Sequence, residues 1–403
     1  MESEIAGWLS VIFRFVHVLA AIMWIGNSIL FTWMELNLIA PKPGEKTPDP
    51  ELLGHLDMLH GGGVFHLQKR VIDPKAIPVP LHWFMWQSYT TWISGVLLMV
   101  SVFYIHGGSA LLDATKSTLP GWGAIGLSVA GIVVWWITYD LIWRTKLMEK
   151  PLIAVPLTLG LILAAAYLFD QYFNGRAVFL QVGAMLGSAM SANVFFHIIQ
   201  NQKKFMASLL AGRPHDMKYG KQAKRRSMHN HYMTFPVLFM MLSAHFPQLT
   251  GARHLVVILG VILISLMSIK HLMNSRYRFR HWLGAIFGVF LAAFIAIALL
   301  ISPSAASTAN AGDAGSRLFI SQGCAACHQT GASQLAPDLH GIFGSTRNLA
   351  DGTHAIADED YLRRSILQPQ AQIVMGYPAA MPPFSHLTEV QIDQLVDYLK
   401  SLK

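Results

Sequence analysis

Long apolar stretches, separated by short polar segments, fill the first 300 residues or so of the chain. A run of about 20 apolar residues crosses the ~30 Å hydrocarbon core of a bilayer as a single helix. The spacing of the apolar runs therefore predicts an all-α membrane bundle of eight transmembrane helices. These helices are expected at residues 7–33, 82–106, 122–143, 151–169, 177–201, 231–250, 253–273 and 282–302.

The basic residues between the apolar runs indicate how the bundle is oriented. Lys and Arg gather in the loops that follow the first, third, fifth and seventh predicted helices, whereas the alternate loops contribute Lys116, Arg176 and Arg253. Because loops rich in Lys and Arg stay in the cytoplasm, both chain termini are expected on the opposite side. We predict a multi-pass protein of a bacterial inner membrane with both termini in the periplasm.

The pattern of polar positions changes after the eighth predicted helix. The segment SPSAASTANAGDAGS is small and polar, which is typical of a flexible tether. Near the end of the chain, TEVQIDQLVDYLKSL has apolar residues at helical spacing and predicts an amphipathic helix. Its apolar residues are Val390, Ile392, Leu395, Val396 and Leu399. We therefore expect a membrane domain at 1–302, a linker at 303–313 and a periplasmic domain at 314–403.

Composition agrees with a lipid environment. Hydrophobic residues make up 53% of the chain, and the mean hydropathy is +0.42. Only 13% of the residues are charged, against about 25% in a soluble domain. The formal net charge of +8 is explained by the basic loops, so the expected partner is the bilayer and not nucleic acid.

The only two cysteines lie in the motif Cys324-Ala-Ala-Cys327-His328. Two cysteines do not make a disulfide framework, and no βαβ pattern surrounds them. This spacing lets two thiols add to the vinyl groups of a haem while the adjacent imidazole ligates the iron. The motif therefore indicates a covalent c-type haem at the end of a membrane protein.

A haem held by His328 needs a second axial ligand, and a thioether in that position raises the reduction potential. Met381, in the proline-rich segment GYPAAMPPF, is the expected ligand, and Met375 is the alternative. Pro337 precedes a glycine-punctuated turn, and its carbonyl is expected to hold the other ring nitrogen of His328.

The last 90 residues or so, from Gly315 onward, resemble a class I cytochrome c, with these motifs in the same order. The resemblance implies a small α-helical domain with one haem c. In that domain Cys324 and Cys327 attach the haem, while His328 and Met381 ligate its iron. Haem c is attached on the periplasmic side, which is also the side that the basic loops indicate.

The membrane domain carries many histidines, and ionisable groups within a bilayer are costly enough to suggest function. Electrons that cross a ~30 Å membrane core need an intermediate carrier. One or two b-type haems held between helices would provide it. We predict His17 with His245 for one haem and His197 with His271 for the other. The alternative is that each histidine makes an ordinary interhelical hydrogen bond.

Over essentially its whole length the chain resembles the bacterial membrane-bound urate oxidases. The stretches that carry the resemblance are FRFVHVLAAIMWIGNSILFTWMELNL, HGGGVFHLQKR and RRSMHNHYMTFPVLFMMLSAHFP. The resemblance implies oxidation of urate to 5-hydroxyisourate in purine catabolism. It also implies that electrons leave through the haem c to a downstream cytochrome c or a terminal oxidase.

Urate is planar and anionic, so its site should combine cations, hydrogen-bond donors, stacking surfaces and a base. The run RRSMHNHYMTFP offers such groups within one short segment. We predict His229 or His231 as the catalytic base and Arg226, Asn230 and Tyr232 as substrate-binding residues. The alternative is a basic cluster at the start of a helix that serves only topology.

Two further features of the sequence concern the structure of the membrane domain. Asp140 and Arg144 are expected to form a structural pair at the membrane interface, and the segment GHLDMLHGGGVFHLQKRVID is expected to cap a cytoplasmic pocket.

Two other functions, a quinol-oxidising enzyme and a non-catalytic electron-transfer subunit, both remain open. A haem-biosynthesis enzyme is a weaker alternative, because a cytochrome is fused to the bundle.

Overall fold

The computed structural model describes the chain in segments, which are residues 2–41, 51–70, 82–105, 107–113, 116–211, 217–301, 311–328, 336–377, 381–385 and 387–402. The chain divides into two compact units. The first comprises Met1–Asp113, Thr118–Met241 and Ile262–Phe290, and the second comprises Ala114–Ser117, Leu242–Val261 and Leu291–Lys403.

Helices account for most of the described residues up to residue 301. In chain order they are α1 (Glu2–Asn37), α2 (Trp86–Met99), α3 (Gly121–Ile142), α4 (Pro151–Asp170), α5 (Gly175–Ala192), α6 (Ile199–Leu210), α7 (Met217–Leu242), α8 (Pro247–Thr250), α9 (Leu255–Ser275) and α10 (Trp282–Ile301). The prediction of an all-α fold is confirmed for the chain as a whole.

Six of the helical segments in the described residues are long and apolar enough to cross a bilayer. They are Gly7–Asn37, Gly121–Ile142, Pro151–Asp170, Gly175–Leu210, Leu255–Ser275 and Trp282–Ile301. The other two predicted spans correspond to α2, which continues as a π-helical turn at Val100–Tyr104, and to the second half of α7. The count of eight is therefore approximate.

Helix α7 begins much earlier than the predicted span at 231–250. Its first half carries the basic residues that the sequence analysis assigned to a loop, yet one side of it is buried. The buried positions of α7 include Ala223, Arg226, Asn230, Met233 and Val237, which recur every three or four residues. Because that spacing marks one face of a helix, packing extends the helix through a polar sequence.

Helices α5 and α6 form one rod that is interrupted by a π-helical turn at Asn193–Ile198. Such turns insert one extra residue into a helix and are frequent at functional sites. The rod packs closely on its neighbours. Ser128 of α3 and the fully buried Gln181 of α5 exchange hydrogen bonds of 2.7 Å, while a Cβ on Gly183 would lie 2.8 Å from the Met240 side chain of α7.

The segment that was expected to cap a pocket contains a β-hairpin. Strands β1 (Leu52–His60) and β2 (Gly63–Arg70) pair antiparallel. The turn between them has Gly61 and Gly62 at φ values of 61° and 80°, a conformation that suits the twist of a two-residue hairpin. The capping role of this hairpin remains a prediction.

In the second unit, residues 311–402 form a small domain around their own core. Its elements are α11 (Ala311–Ser321), α12 (Glu359–Leu367), α13 (Glu389–Ser401) and a small sheet of β3 (Thr346–Asn348) and β4 (His354–Ile356). Helices α11 and α13 cross at Gly315, where an added Cβ would lie 2.0 Å from the Gln394 carbonyl oxygen. Only a glycine permits this approach.

Helix α13 is the amphipathic helix that the sequence predicted. Thr388 and Gln391 form a capping box at its start, which satisfies free backbone N–H groups of the first turn. Four of the five apolar residues assigned to the buried side are buried. The fifth, Val390, is exposed in the first turn, where the apolar stripe has not yet reached the core. Most of the predicted linker at 303–313 lies outside the described residues.

Candidate functional site

The haem-binding motif follows the end of α11. Gly323 adopts a φ of 81°, and this left-handed conformation turns the chain away from the axis of α11. A 3-10 turn follows at Cys324–Ala326. The amide groups of Cys327 and His328 both donate to the Cys324 carbonyl, at 3.2 and 3.0 Å. The motif therefore lies on a tight turn just after α11 and not within the helix.

A mostly apolar cavity opens beside this turn. It is lined by side chains that include Phe319, Cys324, His328, Tyr361, Ile366 and Met381. The two cysteine sulfur atoms are not joined to each other, and burial raises the pKa of the Cys324 thiol to about 11. The Cys324 thiol is thus a protonated group at the edge of a cavity made mostly of apolar side chains.

A backbone contact orients His328. Its Nδ1 donates to the Pro337 carbonyl at 2.9 Å, which leaves the Nε2 lone pair as a metal ligand. Burial lowers the pKa of this imidazole, and the Pro337 contact opposes that effect in part. The histidine is therefore neutral at physiological pH, as iron ligation requires.

The two candidate methionines occupy different places. Met381 lines the cavity, whereas Met375 is 59% exposed and outside the cavity lining. Arg347 Nε and Ser365 Oγ are buried without a hydrogen-bond partner among the described residues, and both side chains line the cavity. A porphyrin fits this donor set, because its propionate carboxylates would accept hydrogen bonds from these two groups.

A second site is built around Asp140, which is 6% exposed near the end of α3. Its Oδ1 accepts from Arg226 Nη2 at 2.9 Å and from His197 Nε2 at 2.6 Å. Its Oδ2 accepts from Arg144 Nε at 2.6 Å. The predicted pair of Asp140 with Arg144 is therefore one part of a four-residue cluster that joins three helices.

A chain of hydrogen bonds leads from this cluster through Asn193, which begins the π-helical turn. Arg226 Nη1 donates to Asn193 Oδ1 at 3.3 Å, and Asn193 Nδ2 contacts the Tyr139 hydroxyl at 2.9 Å. The same hydroxyl lies 2.9 Å from His229 Nδ1. Buried polar groups that are linked in this way hold one another in single orientations.

A cavity of about 360 Å³ lies on this network. Four cationic side chains line it, namely Arg144, Lys204, Arg225 and Arg226, together with both histidines of the network. Aromatic rings form another part of its wall, because Trp143 and Phe196 line it as well. The Trp143 and His229 rings are in edge contact at 4.1 Å between centroids. Such a cavity suits a planar anion of aromatic character.

The five residues predicted from the run in α7 divide between two places. Arg226 and His229 line the cavity. Asn230 lies behind it and accepts from Asn193 Nδ2 at 2.9 Å. His231 and Tyr232 lie elsewhere and face α9, where His231 contacts Asn274 at 2.9 Å and Tyr232 contacts His271 at 2.8 Å.

The histidines predicted to bind b-type haem have other contacts in the structure. His17 Nδ1 lies 2.9 Å from the Thr91 carbonyl, and an added Cβ on Gly95 would lie 3.1 Å from its ring. His245 is exposed at the end of a 3-10 turn. Asp140 holds Nε2 of His197, and Tyr232 holds Nδ1 of His271. These contacts lie on different helices, and the pairing of His197 with His271 at a haem stays a prediction.

Tyr139, Trp143 and Asn193 of the second site escaped the sequence analysis, which named His197 only as a possible haem ligand. Tyr139 and Trp143 lie four residues apart on α3, and Asn193 and His197 lie four residues apart on α5–α6. Both pairs have the spacing of one helical face. A search for polar and aromatic pairs at that spacing within apolar runs would have found them.

A bundle of apolar helices with a cationic cavity, fused to a domain with a haem-type cavity, defines a membrane-embedded oxidoreductase of the c-type cytochrome class. The family described as urate oxidase N-terminal matches residues 3–302, and the cytochrome c family matches residues 312–403. The chain therefore belongs to the urate oxidase N-terminal family, with a cytochrome c domain at its C-terminal end. No curated protein matches the chain. The resemblance to the cytochrome-linked urate oxidases is confirmed, and a haem c is implied.

Proposed function

We propose that the protein is an integral membrane urate oxidase that converts urate to 5-hydroxyisourate and passes the electrons through its haem c to the respiratory chain. The observation that carries the proposal is the cavity in which cationic side chains stand beside aromatic rings. The family of residues 3–302 supplies the substrate class.

The chemistry of the cavity agrees with a purine anion. Arg226 is already bonded to Asp140 and Asn193, so it contributes fixed positive charge to the cavity wall. Lys204 and Arg225 are exposed there and can donate directly to the anionic oxygen and nitrogen atoms of urate. Trp143 and Phe196 offer ring faces and edges to a planar ligand.

The overall reaction sets what the site has to do. The urate monoanion loses two electrons, the hydroxyl of a water molecule bonds to C5, and the remaining water proton is released. Haem c, when bound, supplies a one-electron acceptor, so each urate reduces two haem equivalents. The protein must therefore bind the anion, place a water molecule near C5 and remove one proton.

The exit of electrons is assigned to the cytochrome domain. Cys324 and Cys327 would attach the haem, and His328 and Met381 would ligate its iron. The expected acceptor is a downstream cytochrome c or a terminal oxidase. The concentration of Lys and Arg in alternate loops supports an inner-membrane protein with its termini and cytochrome in the periplasm.

A b-type haem remains a prediction, with His17 and His245 or His197 and His271 as ligands. The second pair has to compete with existing contacts, because Asp140 already holds Nε2 of His197. A pyridine haemochrome spectrum of the purified protein decides this point. Bands of haem c alone would exclude both pairs, and an added b-type band would support one of them.

The proposed function is tested with the full-length protein in lipid nanodiscs, oxidised and kept free of oxygen. Addition of urate should reduce the haem c of the wild type. Lys204→Gln should raise the KM for urate several-fold, because it removes a cation from the cavity. Arg278→Gln is the matched control, since it removes one positive charge from an exposed position outside the cavity lining.

The same preparation separates the alternatives. Reduction of the haem by a quinol but not by urate would identify a quinol-oxidising enzyme. Reduction by neither, in a protein whose haem responds to dithionite, would identify an electron-transfer subunit that needs a partner enzyme. An equal KM for urate in the Lys204→Gln and Arg278→Gln variants would move the substrate site away from the described cavity.

A further inference from the structure

The hydrogen-bond network assigns opposite roles to the two histidines of the cavity. We propose that His197 is the general base, which accepts a proton through Nδ1, and that His229 is a donor, which binds the substrate through Nε2–H. Tyr139 is then the positioning residue that holds His229 in this tautomer. The inference rests on the proposed function for its chemistry, although the tautomers themselves do not depend on it.

The orientation of the Asn193 amide follows from groups whose roles cannot reverse. The guanidinium of Arg226 can only donate, so the atom of Asn193 that it contacts at 3.3 Å is the oxygen. The second anchor is the Met190 carbonyl, which can only accept. It lies 2.9 Å from Asn230 Nδ2, and Asn230 therefore turns its oxygen toward Asn193. The contact with Arg226 and the contact with Asn230 therefore both require that the NH₂ group of Asn193 faces Tyr139.

The tautomer of His229 follows from that orientation. Asn193 donates to the Tyr139 oxygen, and Arg226, which also contacts this hydroxyl, can only donate. The phenolic proton of Tyr139 therefore points to His229 Nδ1, at 2.9 Å. A neutral imidazole that accepts at Nδ1 carries its proton on Nε2. Because Nε2 has no protein partner among the described residues and the ring lines the cavity, this N–H is available to a ligand.

The protein holds His197 through Nε2, whereas it holds His229 through Nδ1. The Nε2 atom of His197 lies 2.6 Å from a carboxylate oxygen of Asp140, which can only accept, so Nε2 carries the proton. Nδ1 has no partner in the described parts of the chain, and the ring lines the same cavity. Arg144 and Arg226 already balance the charge of Asp140, which favours a neutral imidazole with a free lone pair on Nδ1.

These two roles match the proton balance of the proposed reaction. As the C5–O bond forms, the water molecule loses one proton, and His197 Nδ1 accepts it while Asp140 stabilises the resulting imidazolium. The two electrons of the substrate leave for the haem c. His229 Nε2–H meanwhile donates to an anionic atom of the purine and holds it in position. This proposal assigns the base to His197 instead of His229 or His231, which the sequence analysis predicted, and of the two predicted haem pairs it is compatible with His17 and His245.

Glutamine substitutions separate a donor from a base. The amide NH₂ of glutamine can stand near the position of Nε2–H, but it cannot accept a proton. We expect His229→Gln to keep kcat within about tenfold of the wild type, while His229→Ala loses on the order of 10²-fold. His197→Gln should lose about 10²- to 10⁴-fold in kcat, and its remaining activity should rise with hydroxide concentration.

A measurement without urate tests the tautomers directly. In the full-length holoprotein labelled with ¹⁵N-histidine, an unprotonated ring nitrogen resonates far from an N–H nitrogen. Both His229 and His197 should show an unprotonated Nδ1. The signal of each residue is assigned by its loss in the corresponding Gln variant. Tyr139→Phe removes the donor to His229 and should convert its signal to a tautomer mixture, while the His197 signal stays unchanged.

The two experiments distinguish the inference from the function beneath it. A protonated Nδ1 on His229, or equal losses in His229→Gln and His229→Ala, would overturn the assigned roles even in an active urate oxidase. The proposed tautomers in a protein that does not oxidise urate would instead refute the proposed function and leave the hydrogen-bond assignment standing.

Discussion

Replacing Asp140 with alanine removes the one carboxylate on which the cationic cluster depends. The Asp140 and Arg226 side chains are 8% and 7% exposed and lie 2.9 Å apart. Alanine at this position would leave the guanidinium buried, with Asn193 as its described partner. His197 would also lose the acceptor that orients it.

The expected magnitude follows from that burial. Removal of one partner of a buried ion pair costs about 3–5 kcal/mol, because the other charge is left without compensation. The contact of Asp140 with Arg144 is different, since the Arg144 side chain is 56% exposed. An exposed partner of this kind contributes about 1 kcal/mol or less. We therefore expect a large loss for Asp140→Ala and a small one for Arg144→Gln.

The free energy of unfolding can be measured by SDS titration in mixed micelles, followed by circular dichroism. Adding Arg226→Met to Asp140→Ala removes the stranded charge and should restore part of the stability, with a coupling of about 0.5–3 kcal/mol. A loss for Asp140→Ala no larger than for Arg144→Gln would refute the description of Asp140 as the buried centre of the cluster. Additive losses in the double variant would refute the pairing with Arg226.

Three further predictions concern the cytochrome domain. Gly315→Ala should lower the melting temperature of the cytochrome domain, because the new Cβ would lie 2.0 Å from a carbonyl oxygen of α13. Overpacking of this kind costs about 1–3 kcal/mol or more. An unchanged thermal transition of the Soret band would contradict this prediction. Met381→Ala should lower the midpoint potential of the haem, whereas Met375→Ala, at an exposed position, should leave it unchanged in a redox titration. Lys400 holds the pKa of Glu359 below its usual value, so this contact stabilises the fold above the unfolded pKa of Glu359 and is lost as the pH falls through the folded pKa. Glu359→Gln should accordingly destabilise the protein at neutral pH and have no effect in acid, as thermal melts across pH would reveal.

The sequence predicted well those features that depend on residues close together in the chain. Apolar runs of sufficient length become helices in lipid whatever their neighbours are. The haem motif is equally local, because Cys324, Cys327 and His328 lie within one turn and Pro337 is close in the chain. The burial of Ile392 and Leu395 in α13 follows from helical spacing alone.

The second site depended on contacts that no local pattern contains. Arg226 and Asn230 are four residues apart and share one face of α7, but His231 and Tyr232 are rotated away from it and meet α9. Adjacent position in a polar run was therefore a poor guide to a shared site. Asp140, which organises the cavity, meets its partner Arg226 only because α3 and α7 pack together.

One measurement tests the central claim most directly. Oxidised full-length protein, in nanodiscs and without oxygen, is titrated with substoichiometric urate while the haem c absorbance is followed. The account predicts that each urate reduces two equivalents of haem c and yields 5-hydroxyisourate, whose added oxygen carries the label of ¹⁸O-water. Haem c that stays oxidised with urate, while dithionite reduces it fully, would contradict the account.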